Sequence, residues 1–301
     1  MGIRLGANQY GKAENRVVRV YRESSRHELY DLNVSTSLRG EFTAAHVTGS
    51  QADVLPTDTQ KNTAFAYAKR HGVSSPEDYA IALGRRLLEA APRAQSVQVR
   101  VEQYAWDRIP VGGEGHDHAF IRRGDGTRTV AVTVSDRDAR ERIAVLSGVC
   151  DLVVLKTTAS EFKGFLKDEY TTLKEADDRI MATSLVARWR HMTTETDWNA
   201  SYAAIRATLL EVFAATYSRA LQETLYLMGQ RVLEAHSEVA EIRFSAPNKH
   251  HFLVDLEPFG LENNGEVFIA ADRPYGLIEA TVIRDEAPDP GEAWLAVPAF
   301  T

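Results

Sequence analysis

Alternating apolar and polar positions predict several β-strands in this chain, in two similar halves. Residues 97–102 alternate strictly, as the side chains of a half-buried strand do. In the first half, residues 17–21 and 31–37 flank a polar turn and predict a hairpin. In the second half, residues 143–146 and 151–156 predict the matching pair of strands. The patterning therefore indicates a sheet in each half.

Apolar residues at helical spacing predict helices after each pair of strands. Ser75 can cap a first helix, with Pro76 at its first position and acidic residues in its first turn. The apolar face of this helix consists of Tyr79, Leu83, Leu87 and Leu88. In the second half, the apolar spacing predicts one long helix from about residue 200 to residue 235. Each half also has a threonine-rich corner, at residues 57–59 and 157–160, and we expect a short helix after each corner.

The order of these elements predicts the fold class. Four further strands are expected at residues 241–245, 250–256, 266–270 and 277–284. A strand pair, helices and a second strand pair thus occur twice, which is typical of an α+β fold with antiparallel sheets and helices on one face. We expect two domains, residues 1–138 and residues 139–301.

Composition and charge exclude several classes of protein. The 301 residues are 44% hydrophobic and 26% charged, as in a globular protein. A net charge of −7 argues against nucleic acid as the main partner, because such binders concentrate Lys and Arg. Apolar runs fall short of the ~20 residues that span a bilayer, so we expect no membrane partner. The N-terminal residues lack the apolar core of a signal peptide, and the single cysteine, Cys150, fits a reducing compartment.

The segment at residues 54–63 carries the densest set of hydrogen-bonding groups. It is read as the end of a strand and the start of a helix that Thr57 or Asp58 can cap. The first backbone N–H groups of such a helix point outward and suit a small, planar, anionic ligand. A plain helix cap explains this segment equally well when it is taken alone.

Four other segments, taken with this one, resemble urate oxidase (uricase) in their order and spacing. They are residues 10–12 (Tyr-Gly-Lys), 162–165 with 168–175 and Arg179, 221–226, and 247–250 (Pro-Asn-Lys-His). The resemblance runs from Tyr10 to about Arg284, nearly the whole chain. Each segment is weakly specific, whereas five in register are strongly specific.

The resemblance implies a fold, a reaction and an assembly. It implies two tandem tunnelling-fold domains whose sheets close into a barrel on oligomerisation, in a homotetramer with active sites shared between subunits. It implies that urate and dioxygen are the substrates and that no cofactor takes part. Residues 299–301 differ from the Ser-Lys-Leu type of peroxisomal address, so we expect a bacterial, cytoplasmic enzyme of purine catabolism.

Four residues have the chemistry that a flat, anionic purine requires. Arg179 offers a planar charged fork, although Asp177 and Asp178 beside it could instead make it an ordinary surface arginine. Gln222 can both donate and accept, whereas a lone helical glutamine is normally solvated. By the resemblance, Phe162 stacks on the substrate and Asn248 holds oxygen or water over the ring, although a phenylalanine is normally a core residue.

The catalytic candidates are Lys12, Thr57 and His250. Urate oxidation moves protons off the substrate and onto peroxide, which a lysine, a threonine hydroxyl and a histidine can relay. The resemblance assigns the relay to these three residues. It also assigns substrate contacts to Thr57, to the Asp58 backbone, and to Leu221, where many relatives have valine.

Cofactor and metal signatures are weak. The histidines at residues 116, 118, 250 and 251 lack a third ligand at diagnostic spacing, so we expect no metal site. Nucleotide and flavin motifs are also missing from the sequence. Two alternatives stay open at this point: another tunnelling-fold enzyme acting on a purine or pterin, and a purine-binding protein without catalysis.

Overall fold

The computed structural model describes residues 2–137, 140–295 and 297, and of these it leaves the side chains of Arg137 and Asp272 undescribed. The described chain divides into two compact units. The first unit comprises residues up to 148, residues 190–200 and the described residues from 288 onward. The second unit comprises residues 149–189 and 201–287. The predicted domain boundary between residues 138 and 139 lies outside the described residues.

The first unit is an antiparallel sheet packed against helices. Its elements are β1 (Tyr10–Tyr21), β2 (Glu28–Gly40), α1 (Thr43–Val47), α2 (Thr57–Arg70), α3 (Pro76–Ala90), β3 (Ala94–Tyr104), β4 (Trp106–Val111), β5 (Glu114–Arg122), β6 (Thr127–Arg137) and the first part of β7 (Arg140–Lys156). The strand order is β1-β2-β3-β6-β7, while β4 and β5 form a separate two-stranded sheet. The predicted hairpin at residues 17–37 is confirmed, because β1 and β2 pair antiparallel.

Helix α3 forms as its local signals predict. The Ser75 hydroxyl oxygen accepts a hydrogen bond from the backbone N–H of Asp78 at 3.1 Å, and Pro76 occupies the first turn. Tyr79, Leu83 and Leu87 are each fully buried against the sheet. A cap at one end and a continuous apolar face therefore fix this helix.

Helix α2 begins at Thr57, but the predicted cap is wrong. The residue at the N-cap position is Pro56, and no side chain caps the helix. The side chain of Asp58 instead accepts hydrogen bonds from Lys61 and Asn62 one turn further along. The backbone N–H groups of the first turn thus lack a side-chain cap.

The second unit repeats the plan of sheet and helices. Its elements are the remainder of β7, then β8 (Met181–His191), α4 (Trp198–Ala215), α5 (Leu221–Ala235), β9 (Val239–Leu253), a 3-10 turn (Glu257–Phe259) and β10 (Phe268–Ile283). Within this unit the strand order is β7-β8-β9-β10. The core packs Ile205 and Leu209 of α4 and Leu225 of α5 with Trp189 and Phe244 of the sheet.

The predicted second strand pair is wrong, because residues 143–146 and 151–156 belong to one strand, β7. Polar Ser147 and the glycine after it resemble a turn in the sequence. In the fold, Ser147 is only 2% exposed and its hydroxyl donates to Glu77 at 2.7 Å, so the polar group is satisfied inside the unit. The strand accommodates a positive φ of 54° at Asp151 without ending.

The second corner is not followed by the expected helix. Residues after it form two isolated β-bridges, one between Ser160 and Ser218 and one between Phe162 and Ala176. The first of these bridges also explains why residues 200–235 form two helices instead of one. Ser218 is fully buried between them, and its backbone N–H donates to the Ala159 carbonyl at 3.0 Å, which draws the chain away from the helical path.

The four strands predicted near the C-terminal end form two longer ones. Residues 241–245 and 250–253 both lie in β9, and residues 268–270 and 277–283 both lie in β10. The pairing of β9 with β10 shifts register between Ala271 and Gly276, which is the interruption that the sequence pattern shows. Within the described part of the chain, every helix falls short of the length and apolarity needed to cross a membrane.

Candidate functional site

Six predicted site residues of the second unit line one cavity of about 160 Å³. They are Phe162, Arg179, Leu221, Gln222, Asn248 and His250. Leu173, Lys174, Ala176 and Ile278 complete the lining. The fold therefore brings together the six predicted residues, which are spread over almost 90 positions of the sequence.

Arg179 and Phe162 form the charged and the aromatic sides of the cavity. The guanidinium carbon of Arg179 lies 5.2 Å from the centroid of the Phe162 ring. Burial lowers the pKa of Arg179, yet an arginine stays charged at neutral pH. Its Nε atom is buried, and within the described residues neither this atom nor the rest of the guanidinium has a hydrogen-bond or carboxylate partner.

The acidic neighbours of Arg179 are bound elsewhere. Asp177 pairs with Lys163 at 2.8 Å. Asp178 accepts a hydrogen bond from the Thr158 hydroxyl at 2.7 Å and one from the backbone N–H of Ser160 at 3.3 Å. The reading of Arg179 as a surface arginine paired with these residues is therefore wrong.

Backbone hydrogen bonds position the two sides of the cavity. Phe162 and Ala176 exchange N–H to carbonyl bonds of 2.8 and 3.0 Å. The Arg179 N–H donates to the Ser160 carbonyl at 2.7 Å. Phe162 and Arg179 are thus held by the same two hydrogen-bonded segments. These segments follow the second threonine-rich corner, where a helix was expected.

Leu221 and Gln222 are the first two residues of α5. Ala220 stands at the N-cap position without a side-chain hydrogen bond, and the first helical backbone bond, from Thr224 to Ala220, begins three residues further on. Leu221 is only 2% exposed, while Gln222 is exposed. An uncapped helix start beside a guanidinium favours an anion.

Asn248 and His250 lie two residues apart on β9, so their side chains share one face of the strand. Burial, and then the charges of Arg179 and His251, lower the pKa of His250 below its ordinary value. The neutral imidazole therefore predominates near neutral pH and can accept a proton.

Lys12, Thr57 and Asp58 belong to the first unit. Lys12 is on β1, opposite Thr36 of β2, and Thr57 and Asp58 open α2. Asp58 has a lowered pKa, chiefly through its hydrogen bond from Lys61 and more weakly through the charge of Lys12. Lys61 and Asn62 each donate a hydrogen bond to the Asp58 carboxylate.

Several residues around the second-unit cavity and in helix α2 of the first unit have no role assigned from the sequence. Leu173 and Lys174 lie in a quoted segment but had no role, and Ile278 had no signal beyond its place in a strand. In the first unit, Gln60 is fully buried on the apolar stripe of α2, a mismatch that the sequence does contain. Across the described chain, no three His, Cys, Asp or Glu side chains are grouped so as to hold a metal ion.

Comparison with known proteins identifies the family. A family model described as "Uricase" matches residues 8–133 and 145–279. A uricase from Arthrobacter globiformis is 49% identical over 296 residues, covering 98% of this chain and 95% of that protein. The chain belongs to the uricase family. A uricase from Dictyostelium discoideum is 38% identical over 283 residues, covering 93% of this chain and 97% of that protein.

Solved uricase structures agree in fold. The crystal structure of the Arthrobacter globiformis uricase matches with a TM-score of 0.92 at 49% identity, covering 98% of this chain and 99% of that one. A crystal structure of urate oxidase from Bacillus sp. TB-90 matches with a TM-score of 0.83 at 23% identity, covering 92% of this chain and all of that one, and shows the fold alone. The predicted uricase resemblance and the α+β tunnelling-fold class are therefore confirmed. The domain division at residue 138 and the roles of single residues in this chain stay predictions.

Proposed function

We propose that this protein is a cofactor-independent urate oxidase of purine catabolism. It converts urate, O2 and water into 5-hydroxyisourate and H2O2, so the two electrons that urate loses reduce dioxygen to peroxide. The observation that carries this proposal is the Arg179 guanidinium, which faces a cavity beside an aromatic ring and has no anionic partner among the described residues.

Urate binding follows from the groups around that guanidinium. Urate is flat, anionic at neutral pH and rich in carbonyl and N–H edges. Arg179 pairs with its anionic edge through two parallel hydrogen bonds, and Phe162 stacks on its plane. Gln222 donates and accepts at the adjacent edge, while the helix start at Leu221 adds a backbone donor.

Dioxygen chemistry requires protons to move as electrons do. Asn248 holds oxygen or water over the bound ring, and His250, which its lowered pKa keeps neutral, shuttles a proton. Lys12 and Thr57 form the relay that carries a proton between urate and peroxide. Thr57 and the Asp58 backbone also contact the far edge of the substrate.

Assembly completes this site in our proposal. We propose a homotetramer in which Lys12, Thr57 and Asp58 of one subunit serve the second-unit cavity of a partner subunit. All residues that line the cavity belong to the second unit, whereas Lys12, Thr57 and Asp58 belong to the first, which supports this arrangement. A cytoplasmic location is proposed from the single cysteine, Cys150.

A direct assay tests the activity. Purified protein without added cofactor is mixed with urate in air, and the near-ultraviolet absorbance of urate is followed while peroxide is measured. We expect urate to disappear as peroxide appears, and we expect no oxidation of a reduced pterin in parallel. Unchanged urate in the presence of folded protein would overturn the proposal.

A further inference from the structure

We propose that Gln60 and Thr36 are positioning residues that fix Lys12 against the corner carrying Thr57. Neither side chain is assigned to substrate or to proton transfer. The inference rests on the proposed function, because it treats Lys12 and Thr57 as a proton relay whose parts must be held together.

Gln60 occupies a position where the sequence pattern calls for an apolar side chain. Helix α2 turns Gln60, Ala64 and Ala68 toward the core at helical spacing, and each of the three is at most 4% exposed. Burying an amide in such a place costs free energy unless its hydrogen bonds are satisfied. Gln60 therefore needs partners, and the structure supplies them.

The two ends of the Gln60 amide connect the corner to the sheet. Its Nε2 donates to the Leu55 carbonyl at 3.2 Å, two residues before Thr57. Its Oε1 accepts from the Thr36 hydroxyl at 2.7 Å. The Thr36 oxygen in turn accepts from the backbone N–H of Lys12 at 3.3 Å. One chain of hydrogen bonds, buried at its centre, thus links the Lys12 backbone to the segment that precedes α2.

A second contact holds the same corner. The backbone N–H of Leu55 donates to the Tyr10 hydroxyl at 2.9 Å. Both polar groups of the Leu55 backbone are therefore bound, one by Gln60 and one by Tyr10 of the strand that carries Lys12. The corner is fixed to β1 at two points.

The backbone of β1 also approaches β2 closely at Gly11, beside Lys12. A Cβ at Gly11 would lie 1.8 Å from the Thr36 carbonyl oxygen, so only glycine permits β1 to approach β2 here. The pairing then shifts register between Lys12 and Asn15. The hydrogen-bond ladder between β1 and β2 is irregular directly after Lys12. At this irregularity the hydroxyl of Thr36 holds the Lys12 N–H.

Proton transfer between two side chains is sensitive to their separation. A misplacement of about 1 Å can cost roughly 100-fold in rate. Loss of the Thr36 hydroxyl would remove the side-chain hydrogen bond to the Lys12 N–H and leave the Gln60 oxygen unsatisfied, while the urate-binding residues of the second unit are untouched. We therefore expect kcat to fall while the affinity for the purine changes little.

The test uses Thr36→Val, which keeps the shape of the side chain and removes its hydroxyl, and Gln60→Leu. We expect each to lower kcat by about 10- to 100-fold. The dissociation constant for xanthine, a purine that keeps the dioxo ring of urate, should change far less. Thr36→Ser restores the hydroxyl and should restore most of kcat.

A matched pair in the same unit supplies the control. Gln98 donates to the Thr133 hydroxyl at 3.3 Å, and both side chains are 6% exposed, but neither bonds to Lys12 or the corner. Thr133→Val and Gln98→Leu should therefore lower stability to a similar degree and leave kcat unchanged. Equal losses of kcat in both pairs would overturn the proposal.

A double-mutant cycle separates positioning from a general effect on the fold. In a Lys12→Met background, Thr36→Val should lower kcat no further, because its effect passes through Lys12. Additive losses would contradict the positioning role. If the wild type oxidises urate and Lys12→Met lowers kcat but Thr36→Val does not, this inference alone is overturned. If the wild type is inactive on urate, the proposed function is overturned.

Discussion

Arg179 is the residue whose sequence-based assignment as an anion-binding group agrees most closely with its surroundings in the structure. Its charge is kept in a half-buried place beside Phe162, while the carboxylates next to it in sequence bind Lys163 and Thr158 instead. A guanidinium held in this way is prepared for an external anion, since its own neighbours leave its donors available.

Arg179→Lys should weaken purine binding severely. Lysine keeps the charge but lacks the planar fork, so the change should cost about 2–5 kcal/mol of binding free energy. Titration with xanthine, in the absence of turnover, measures the loss. Arg219→Lys is the control, because Arg219 is exposed and already paired with Glu223. Unchanged affinity in the Arg179 variant would remove this residue from the site.

The lowered pKa of His250 predicts the acid limb of the pH profile. Only the neutral imidazole can accept a proton, and burial and Arg179 favour that form, so activity should fall only when pH drops below the ordinary histidine value of 6.5. The dependence of kcat/KM on pH measures the limb.

His250→Asn should lower kcat and abolish this limb. His251→Asn, a change at the neighbouring histidine outside the cavity lining, should keep it. A limb that persists in the His250 variant would assign the titration to another group.

The elements show which structural signals are local and which are not. Helix α3 was predicted correctly because its cap and its apolar face all lie within one segment of the chain. The sequence pattern predicts two strands in place of β7, because the hydrogen-bond partner of the buried Ser147 hydroxyl is Glu77, 70 positions away. The break between α4 and α5 likewise depends on contacts of Ser218 with residue 159. The local patterns around Ser147 and Ser218 do not show these distant contacts.

Helix α3 also depends on a buried ion pair. Glu77, with no exposed surface, binds Arg128 of β6 at 2.6 Å, and Arg128 is 8% exposed. Arg128→Met should lower the free energy of unfolding by about 3–5 kcal/mol, because it leaves a buried carboxylate without its partner. Urea denaturation followed by circular dichroism measures this change.

An exposed pair on the same helix is the matched control. Arg85 binds Glu141 at 2.7 Å, with about half of each side chain exposed. Arg85→Met should cost no more than about 1 kcal/mol, because exposed pairs contribute little. Equal costs for both arginine variants would contradict the larger penalty expected from leaving the buried Glu77 carboxylate without a charged partner.

At the scale of the whole molecule, the site residues fall into two sets. The second-unit set was predicted from family resemblance, and the structure places all six around one cavity, which periodicity alone could not have indicated. Gln60 and Thr36 were missed, because their role is visible only when β1, β2 and the corner are seen together. Each set has a cation near a helix start: the charge of Lys12 acts on Asp58 in the first turn of α2, and Arg179 lines the same cavity as the first two residues of α5.

The proposed sharing of sites between subunits predicts that two inactive variants can complement each other. Lys12→Ala and Arg179→Ala are unfolded, mixed in equal amounts and refolded. In a mixed pair of chains, one site receives both changes and the other receives neither, so about a quarter of the wild-type activity should return. Absence of recovery, with mixed oligomers shown by mass spectrometry, would contradict sharing between subunits.

The most direct measurement of the central claim is the stoichiometry of the reaction in metal-free protein. After exhaustive chelation and dialysis, without any added cofactor, the urate lost, the O2 consumed and the H2O2 released are measured in the same sample. For a cofactor-independent urate oxidase we expect equal amounts of all three at an undiminished rate. Loss of activity on chelation that a metal ion restores, or urate loss without matching peroxide, would contradict it.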